Sequence, residues 1–145
     1  MVFQERFYRS QLDKRHVKIA LDAVRTVLEA QPAVSFAYLH GSVLHALRGE
    51  QTLTPQDIDL AIHLSCGDAL QIELDMQLDF YRLTGFVPEL LDVHTLNDAP
   101  LWAAMKVLEH GILFFCRDDL QHADFIEKVS NAYRHMAGLF EAAHG

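Results

Sequence analysis

Two stretches of this chain decide its fold: VSFAYLHGS at residues 34–42 and DIDLAIHL at residues 57–64. The first is a β-branched and aromatic run, which predicts a strand over residues 34–39 followed by a Gly-Ser turn. The second predicts a strand over residues 57–64. Because alternate residues of a strand point to one face, Asp57 and Asp59 would project together, opposite an apolar face. That apolar face would consist of Ile58, Leu60, Ile62 and Leu64.

The Gly41-Ser42 pair suits contact with a phosphate group. Glycine tolerates unusual dihedral angles and adds no side chain, so the backbone can approach a phosphate closely and aim amides at it. Ser42 adds a hydroxyl donor and is a plausible N-cap for a short helix predicted over residues 43–48. By itself, a Gly-Ser pair is more often an ordinary turn.

A third carboxylate follows in LDVHTL at residues 91–96. A strand is predicted over residues 89–96, with Asp92 and His94 on one face. Together with Asp57 and Asp59, Asp92 completes a set of three carboxylates. Divalent cations roughly 3.5–4 Å apart can be held by such a set and can neutralise a transferring phosphate. Adjacent carboxylates repel each other, so a fold gains little from them unless a cation or ligand is bound.

The remaining elements alternate along the chain. A helix is predicted over residues 12–28, ending before Pro32. A second long helix is predicted from Gly67-Asp68 to residue 83, followed by a helix beginning near residues 97–100 with Asp98 as N-cap and ending at Gly111. A fourth strand is predicted over residues 112–116, and a last helix over residues 119–141. The apolar stripe of the second long helix is predicted to be Leu70, Leu74, Leu78 and Tyr81.

The last helix carries an aromatic stripe that can be interpreted in two ways. It can pack on the domain's own sheet, or it can form a docking surface for a partner or a homodimer contact. The same two interpretations apply to the aromatic residues near the amino terminus. The stripe consists of Phe125, Val129, Tyr133, Met136 and Phe140, and the amino-terminal residues are Phe3, Phe7 and Tyr8.

Composition narrows the class of protein. The chain has 145 residues, half of them hydrophobic, and is predicted to form a single domain over residues 1–145. A net charge of −8 is a poor match for a nucleic-acid backbone but suits a basic protein partner. Two cysteines, no leader resembling a signal peptide and no apolar run long enough for a membrane helix predict a reduced cytoplasmic protein without membrane contact.

A few single residues are further candidates. Nine histidines are scattered along the chain, and His40, His63 and His94 are the ones expected near the carboxylates. Lys106 could reach a phosphate, although a surface lysine is the simpler interpretation. Trp102 is most simply a core or interface residue, but an exposed indole could stack on adenine.

Residues 34–64, with Gly41-Ser42 and Asp57-Ile58-Asp59, resemble the minimal nucleotidyltransferase (MNT) domains of the DNA polymerase beta-like superfamily. The likeness continues through residues 91–96, 99–101 and 106–114 and covers a core of about residues 34–116. The resemblance implies an α/β (α+β) fold with a small mixed sheet of about four strands flanked by helices. Residues 1–33 and 117–145 would add a helix at each end of this core.

The resemblance also implies a function. MNT proteins are often antitoxins that transfer AMP from Mg-ATP to a tyrosine of a HEPN ribonuclease toxin. Gly41 and Ser42 would then hold the triphosphate, and Asp57 and Asp59 would bind Mg²⁺. Asp92 would be the third carboxylate, either aiding a second metal or deprotonating the acceptor hydroxyl. A hetero-oligomer with the toxin is the expected assembly, and a homodimer is an alternative.

The chain departs from the family pattern at several positions. Fourteen residues separate Ser42 from Asp57, more than the family usually has, and His40 stands where another aromatic residue commonly precedes the glycine. An Arg48-Gly49-Glu50 triplet resembling one in the family is displaced by this longer segment. Surface insertions cost little free energy, so the fold expectation is unaffected.

Three functional hypotheses therefore compete. The first is the active protein adenylyltransferase antitoxin, motivated by the full carboxylate set. The second is a catalytically impaired MNT module that neutralises the toxin by binding alone, motivated by the longer segment. The third is a nucleotidyltransferase acting on an aminoglycoside-like small molecule, for which this chain has little room to hold the acceptor.

Overall fold

The computed structural model describes residues 14–48 and 57–144, which form a mixed sheet of four strands flanked by helices. The predicted fold class is thereby confirmed. The elements are α1 (Lys14–Glu29), β1 (Val34–His40), α2 (Val43–Leu47), β2 (Ile58–Leu64), α3 (Ala69–Thr84), a 3₁₀ turn (Pro88–Leu90), β3 (Leu91–Thr95), α4 (Leu101–His110), β4 (Ile112–Cys116) and α5 (Asp119–His144).

The strand order in the sheet is β3-β2-β1-β4. Strand β1 runs antiparallel to both of its neighbours, β2 and β4, whereas β2 and β3 pair in parallel. Parallel neighbours cannot be joined by a tight hairpin, so the chain crosses over between them through α3. This arrangement brings the start of β2 and the start of β3 side by side at one edge of the sheet.

Strand β1 contains an irregularity that changes which way its side chains face. Its register with β2 shifts between Val34 and Phe36. Val34 is consequently buried in one hydrophobic cluster and Phe36 in the other, although residues two apart on a regular strand share a face. Beyond the shift, Phe36 and Tyr38 lie on one face while Ala37 and Leu39 lie on the opposite face.

Helices cover both faces of the sheet. On one face, α1 and α3 pack over the larger core, which receives the apolar residues Ile58, Leu60, Ile62 and Leu64 of β2 as predicted. On the opposite face, α4 and the first half of α5 cover a smaller core that contains Phe36, Tyr38, Ala61, Ala104, Val107, Phe125 and Val129. The even-numbered residues of β2 therefore face the larger core. The odd-numbered residues, beginning with Asp59, face the side of the sheet that carries the smaller core.

The predicted apolar stripe of α3 is wrong. Leu70, Leu74 and Leu78 are 66%, 47% and 46% exposed, and Tyr81 is only partly buried. The residues that face the core are Ile72, Met76 and Phe80. Both sets repeat every four residues, so helical spacing alone cannot choose between them. Met76 and Phe80 pack under α1, where both are almost fully buried.

Helix α4 begins later than predicted, and Asp98 does not cap it. The helix starts at Leu101, and Pro100 occupies the N-cap position with an extended backbone. A residue that precedes proline is disfavoured in the helical region, so Ala99 cannot continue a helical turn begun at Asp98. Asp98 instead lines the cavity described below.

Other boundaries agree within a few residues. Helix α1 ends at Glu29, and its predicted beginning at residue 12 lies outside the described residues. Strand β3 covers Leu91–Thr95, shorter than predicted because Pro88–Leu90 forms the 3₁₀ turn. The predicted loop at residues 52–55 and the aromatic residues Phe3, Phe7 and Tyr8 also lie outside the described residues.

The aromatic stripe of α5 divides into two halves. Phe125 and Val129 are buried against the sheet, which confirms the packing interpretation for this half of the helix. Tyr133, Met136 and Phe140 are 42%, 47% and 64% exposed. A docking role for this exposed half stays a prediction. Within residues 14–48 and 57–144, no helix combines the length and the apolar character that a membrane span requires.

Candidate functional site

Three polar side chains form one lateral row across the sheet. His40 at the end of β1 is the register partner of Asp59 on β2, and Asp59 is the register partner of Asp92 on β3. Register partners on adjacent strands point to the same face, so the topology brings together carboxylates 33 positions apart in the sequence. The row lies on the face covered by α4, at the end of the sheet where β2 and β3 begin.

Gly41 is packed against the carboxylate of Asp59. A Cβ added at Gly41 would lie 2.0 Å from Asp59 Oδ2, and the backbone of Gly41 has a φ of +74°. Both observations favour glycine at this position, because a Cβ would have to displace the Asp59 carboxylate and few other residues adopt this φ. The predicted turn therefore closes directly over one of the predicted metal ligands.

Ser42 follows at the N-cap position of α2, which spans Val43–Leu47. The backbone of Ser42 is helical and its side chain makes no capping hydrogen bond. Ser42 therefore occupies the predicted N-cap position, but its side chain does not form the predicted capping hydrogen bond. Instead, the hydroxyl remains available to donate a hydrogen bond to a ligand beside Gly41.

Asp57 lies immediately before β2 and is partly buried. It lies close enough for its charge to raise the pKa of Asp59, and the charge of Asp92 in turn raises the pKa of Asp57, after the larger effect of burial. Its oxygens do not belong to the group of donor atoms of Asp59, Asp92 and His94 that all lie within 4.8 Å of one another. The structure thus places Asp57 beside the pair formed by Asp59 and Asp92.

The electrostatics of Asp59 reflect this crowding. Burial, the charges of Asp57 and Asp92 and a hydrogen bond with Asp92 together raise the pKa of Asp59 to about 6, and burial is the largest of these causes. The charge of His94 acts in the opposite direction. Clustered carboxylates with raised pKa values are typical of sites that bind a cation or transfer protons.

Two histidines at the site were not among the predicted site residues. The Nε2 atom of His94 lies 3.1 Å from Asp92 Oδ2, and donor atoms of Asp59, Asp92 and His94 all lie within 4.8 Å of one another. The Nε2 atom of His40 is buried and has no hydrogen-bond partner among the described residues. The two-residue spacing of Asp92 and His94 on one strand face was the sequence signal for His94.

His63, also expected near the carboxylates, lies elsewhere. It shares the face of Asp59 but is four positions along β2, a separation of roughly 13 Å at strand spacing. There its ring stacks on Phe36 at 4.9 Å between centroids and contacts Phe125. His63 is therefore part of the packing between β2 and α5.

A cavity of about 810 Å³ opens beside the row. Gly41, Asp59 and His94 line one part of this cavity. Residues of α4, including Trp102 and Lys106, line another part. Trp102, the single tryptophan of the chain, is 69% exposed, whereas tryptophan side chains are usually largely buried in proteins. The positive charge of Lys106 is among the factors that lower the pKa of His40, after burial and the charge of His94, so Lys106 lies near the row. Volumes of roughly 300–1,000 Å³ are usual for small-molecule sites.

The donor set fits a divalent cation. Two carboxylates that face each other across adjacent strands are destabilising when both are charged, and a cation between them removes this repulsion. The missing Cβ of Gly41 allows the turn to approach the same carboxylate. The site can therefore hold a cation and a phosphate group side by side, which is the arrangement that phosphoryl and nucleotidyl transfer require.

The comparisons with known proteins agree with this geometry. Residues 22–120 match the family model described as polymerase beta, nucleotidyltransferase. A comparison with curated proteins gave no match.

Solved structures of similar fold come from toxin–antitoxin complexes. One is a tri-AMPylated Shewanella oneidensis HEPN toxin in complex with MNT antitoxin, at 16% identity and a TM-score of 0.61, covering 88% of this chain and 94% of that chain. A second is the MntA-HepT toxin–antitoxin complex, at 16% identity and a TM-score of 0.59, covering 87% and 94%. A third is a toxin–antitoxin complex with AMP-PNP, at 17% identity and a TM-score of 0.61, covering 85% and 94%. At this level of identity the likeness shows a shared fold, and the family model shows the family. The chain belongs to the polymerase beta nucleotidyltransferase family.

Proposed function

We propose that this protein is an MNT-type antitoxin that transfers AMP from a metal–ATP complex to a tyrosine of a HEPN-domain ribonuclease toxin, and so inactivates the toxin. The observation that carries the proposal is the Asp59–Asp92 register pair under the Gly41 turn, in a chain of the nucleotidyltransferase family. The fold shared with MNT antitoxins solved in complex with HEPN toxins supports the choice of partner.

Asp57, Asp59 and Asp92 are the residues that would hold the divalent cation, for which Mg²⁺ is the expectation from the family resemblance. When bound, the cation would neutralise charge on the phosphates of ATP and on the departing pyrophosphate. The carboxylates provide the hard oxygen ligands that such a cation takes.

The Gly41-Ser42 turn would bind the triphosphate. The backbone at Gly41 has no side chain to keep a phosphate away, and the hydroxyl of Ser42 makes no capping hydrogen bond that a phosphate would have to break. Lys106 lies across the same cavity and would add a positive charge. The net charge of −8 makes these local donors and the cation necessary for binding an anionic substrate.

Trp102 would bind the nucleobase. It lies four residues before Lys106, one helical turn away on the same face of α4, so the two side chains are about 6 Å apart along the helix axis. Base stacking on an aromatic side chain contributes about 1–3 kcal/mol and does not require a particular hydrogen-bond pattern. The cavity thus offers a phosphate end at Gly41 and a base end at Trp102.

In the transfer step, the tyrosine oxygen of the partner attacks the α-phosphorus of ATP, and the bond to the bridging oxygen of pyrophosphate breaks. The hydroxyl proton passes to a carboxylate of the site, and pyrophosphate leaves with the electron pair of the broken bond. The chain contributes chiefly by holding the phosphate in line with the incoming hydroxyl, which accounts for much of the rate in such reactions.

The test is AMP transfer to a HEPN-domain protein from the same genome, followed by intact mass spectrometry of that protein. We expect a mass increase of whole AMP units that requires ATP and a divalent cation and is lost in Asp57→Asn and Asp59→Asn. Asp79→Asn is the matched control, because Asp79 is a partly exposed carboxylate on α3 that pairs with Arg82 outside the site.

Two other outcomes would replace the proposal. A stable complex without any mass increase, in which Asp59→Asn still neutralises the ribonuclease, would assign the chain to the binding-only class. Consumption of ATP with an aminoglycoside panel, and none with the HEPN protein, would assign it to the small-molecule transferases.

A further inference from the structure

Strand β3 presents two kinds of donor atom to the metal site. Asp92 offers carboxylate oxygens, and His94, two residues later on the same face, offers an imidazole nitrogen. The family resemblance assigns only carboxylates to the cation. We propose that His94 is a direct metal ligand together with Asp59 and Asp92, and that the site consequently prefers a first-row transition ion such as Mn²⁺ to Mg²⁺. This inference rests on the proposed function, because it concerns the cation of that same site.

The distances suit a shared ion. Adjacent ligands on an octahedral ion with bonds of about 2.1–2.2 Å lie about 3 Å apart. The Nε2 atom of His94 lies 3.1 Å from Asp92 Oδ2, and the donor atoms of Asp59, Asp92 and His94 are all within 4.8 Å of one another. A small side-chain rotation is enough to bring all three into contact with one ion.

The surroundings leave His94 able to make that rotation. Its side chain is 57% exposed, and its register partner on β2 is Ala61, whose small side chain leaves space beside the ring. The contact with Asp92 is its only described ion pair. An exposed imidazole exchanges such a contact for a metal bond at little cost in packing.

A second imidazole gives an independent indication that a ligand belongs here. His40 is the register partner of Asp59, and its ring centroid lies 6.1 Å from that of His94. The Nε2 atom of His40 is buried without a hydrogen-bond partner among residues 14–48 and 57–144. A buried nitrogen without a partner costs free energy, and a bound ligand in the adjoining cavity would remove that cost.

The donor chemistry determines which ion is preferred. Mg²⁺ takes oxygen ligands almost exclusively, whereas imidazole suits first-row ions such as Fe²⁺, Ni²⁺, Cu²⁺ and Zn²⁺. Mn²⁺ also suits carboxylates, but as a first-row transition ion it gains more from an imidazole nitrogen than Mg²⁺ does. Two carboxylates and one imidazole combine ligands that Mn²⁺ accepts together. Removing the imidazole should therefore weaken Mn²⁺ binding much more than Mg²⁺ binding, because only the transition ion gains from nitrogen.

The test is pulsed electron paramagnetic resonance of the full chain loaded with Mn²⁺, which detects magnetic coupling of the ion to a directly bound ¹⁴N nucleus. We expect this coupling in the unmodified protein and its loss in His94→Gln. It should persist in His40→Gln and in His110→Gln, whose histidine is exposed at the rim of the cavity. Titration should show about a tenfold weaker Mn²⁺ affinity in His94→Gln and less than a threefold change for Mg²⁺.

Several results would overturn the inference. Absence of nitrogen coupling in the unmodified protein would do so, as would coupling that survives in His94→Gln and disappears in His40→Gln. His94→Asn guards against a folding defect, because it should reproduce the loss of coupling with an unchanged melting temperature. AMP transfer without nitrogen coupling would overturn the role of His94 and leave the proposed function intact. Nitrogen coupling in a protein that transfers no AMP would do the reverse.

Discussion

Gly41 and Asp59 are in direct contact across β1 and β2: the position of a Cβ on Gly41 coincides with the carboxylate of Asp59, 2.0 Å from its Oδ2 atom. The contact makes glycine at residue 41 a requirement of the site as well as of the turn. A side chain there would displace the carboxylate, the turn or both. In the proposed function, this pair would link cation binding at Asp59 to phosphate binding at the turn.

Gly41→Ala should abolish AMP transfer and lower stability. The φ of +74° costs alanine about 1–2 kcal/mol, and the contact with Asp59 adds strain. A displacement of about 1 Å at a reacting centre can reduce the rate about 100-fold. Single-turnover transfer and thermal unfolding measure the two effects.

Gly138→Ala is the matched control for this substitution. Gly138 lies in the exposed half of α5, and a Cβ there would meet nothing within 4 Å. Alanine should stabilise this helix by about 0.5–1 kcal/mol without changing transfer. Full transfer activity in Gly41→Ala would contradict the linkage between Gly41 and Asp59.

Asp59→Asn should raise the melting temperature of the metal-free protein while it removes cation binding. Burial and the neighbouring carboxylates raise the pKa of Asp59 to about 6, so its charge destabilises the folded state at neutral pH. Because solvent screens the charge of this partly exposed group, we expect the free energy of unfolding to rise by on the order of 1 kcal/mol and the melting temperature by about 3 °C. Calorimetry in the presence of a chelator measures it.

The control for this prediction is Asp79→Asn on α3, which removes an ion pair with Arg82 and should leave the melting temperature unchanged or slightly lower. A lower melting temperature for Asp59→Asn would show that the folded state stabilises the charge at residue 59, contrary to the raised pKa.

Trp102 should report nucleotide binding through its fluorescence. It is the only tryptophan of the chain, it is 69% exposed, and it lines the cavity beside Asp59. We expect AMP-PNP to quench its emission, whereas inorganic tripolyphosphate should compete for the site without quenching. Trp102→Leu should raise the KM for ATP about tenfold, in line with the loss of one stacking contact.

Leu120→Ala provides the comparison for Trp102→Leu, because Leu120 is equally exposed, at 70%, and is not among the residues that line this cavity. It should leave the KM unchanged. An unaltered KM in Trp102→Leu, together with constant fluorescence on addition of AMP-PNP, would show that Trp102 does not bind the nucleobase.

Stability should fall as the pH drops below about 6.5, because of two histidines that pack against Phe36. Burial lowers the pKa of His63 and of His122 from 6.5. Their rings lie 4.9 and 4.7 Å from that of Phe36, and His122 also contacts the hydroxyl of Tyr38 at 2.6 Å. The folded state thus binds fewer protons than the unfolded state, so the stability present above pH 6.5 decreases as pH falls towards the lowered pKa values.

Urea unfolding at a series of pH values between about 8 and 5 measures this dependence. The raised pKa of Asp59 has the opposite effect, because it increases stability as the pH falls. For each variant, the free energy of unfolding at each pH is therefore subtracted from that of the unmodified protein, which removes the contribution of Asp59. His63→Gln and His122→Gln should each flatten the histidine contribution, and His135→Gln, on the exposed part of α5, should not. Identical curves for all three variants would rule out the partly buried rings of His63 and His122 as the source of the histidine contribution.

Much of the site could be predicted because it depends on local patterns. The alternation in residues 57–64 assigns Asp59 to one face and Ile58 to the other, and the structure agrees. The Gly-Ser turn after an apolar strand is likewise predicted, and the structure has a turn there with a φ of +74° at Gly41. These features need only the two-residue period of a strand and the conformational freedom of glycine.

The features that could not be predicted depend on tertiary contacts. Helix α3 has two stripes with the same spacing, and only packing against α1 selects Phe80 over Leu78. His94 lies beside Asp92 as its spacing on β3 predicts, but the pairing of Asp92 with Asp59 follows from the register between β2 and β3, which the sequence does not show. Sequence spacing gives the face of a strand but not its neighbours across the sheet.

The parallel pairing of β2 and β3 has a consequence for the order of folding. The two strands are joined through the whole of α3, so Asp59 and Asp92 become neighbours only when a non-local connection has closed. Non-local parallel pairing is intrinsically slow, and we predict that this pair forms after the transition state for folding. A cation that binds this pair should therefore slow the unfolding of the protein and leave its folding rate almost unchanged. Metal availability would then determine how long each folded molecule persists.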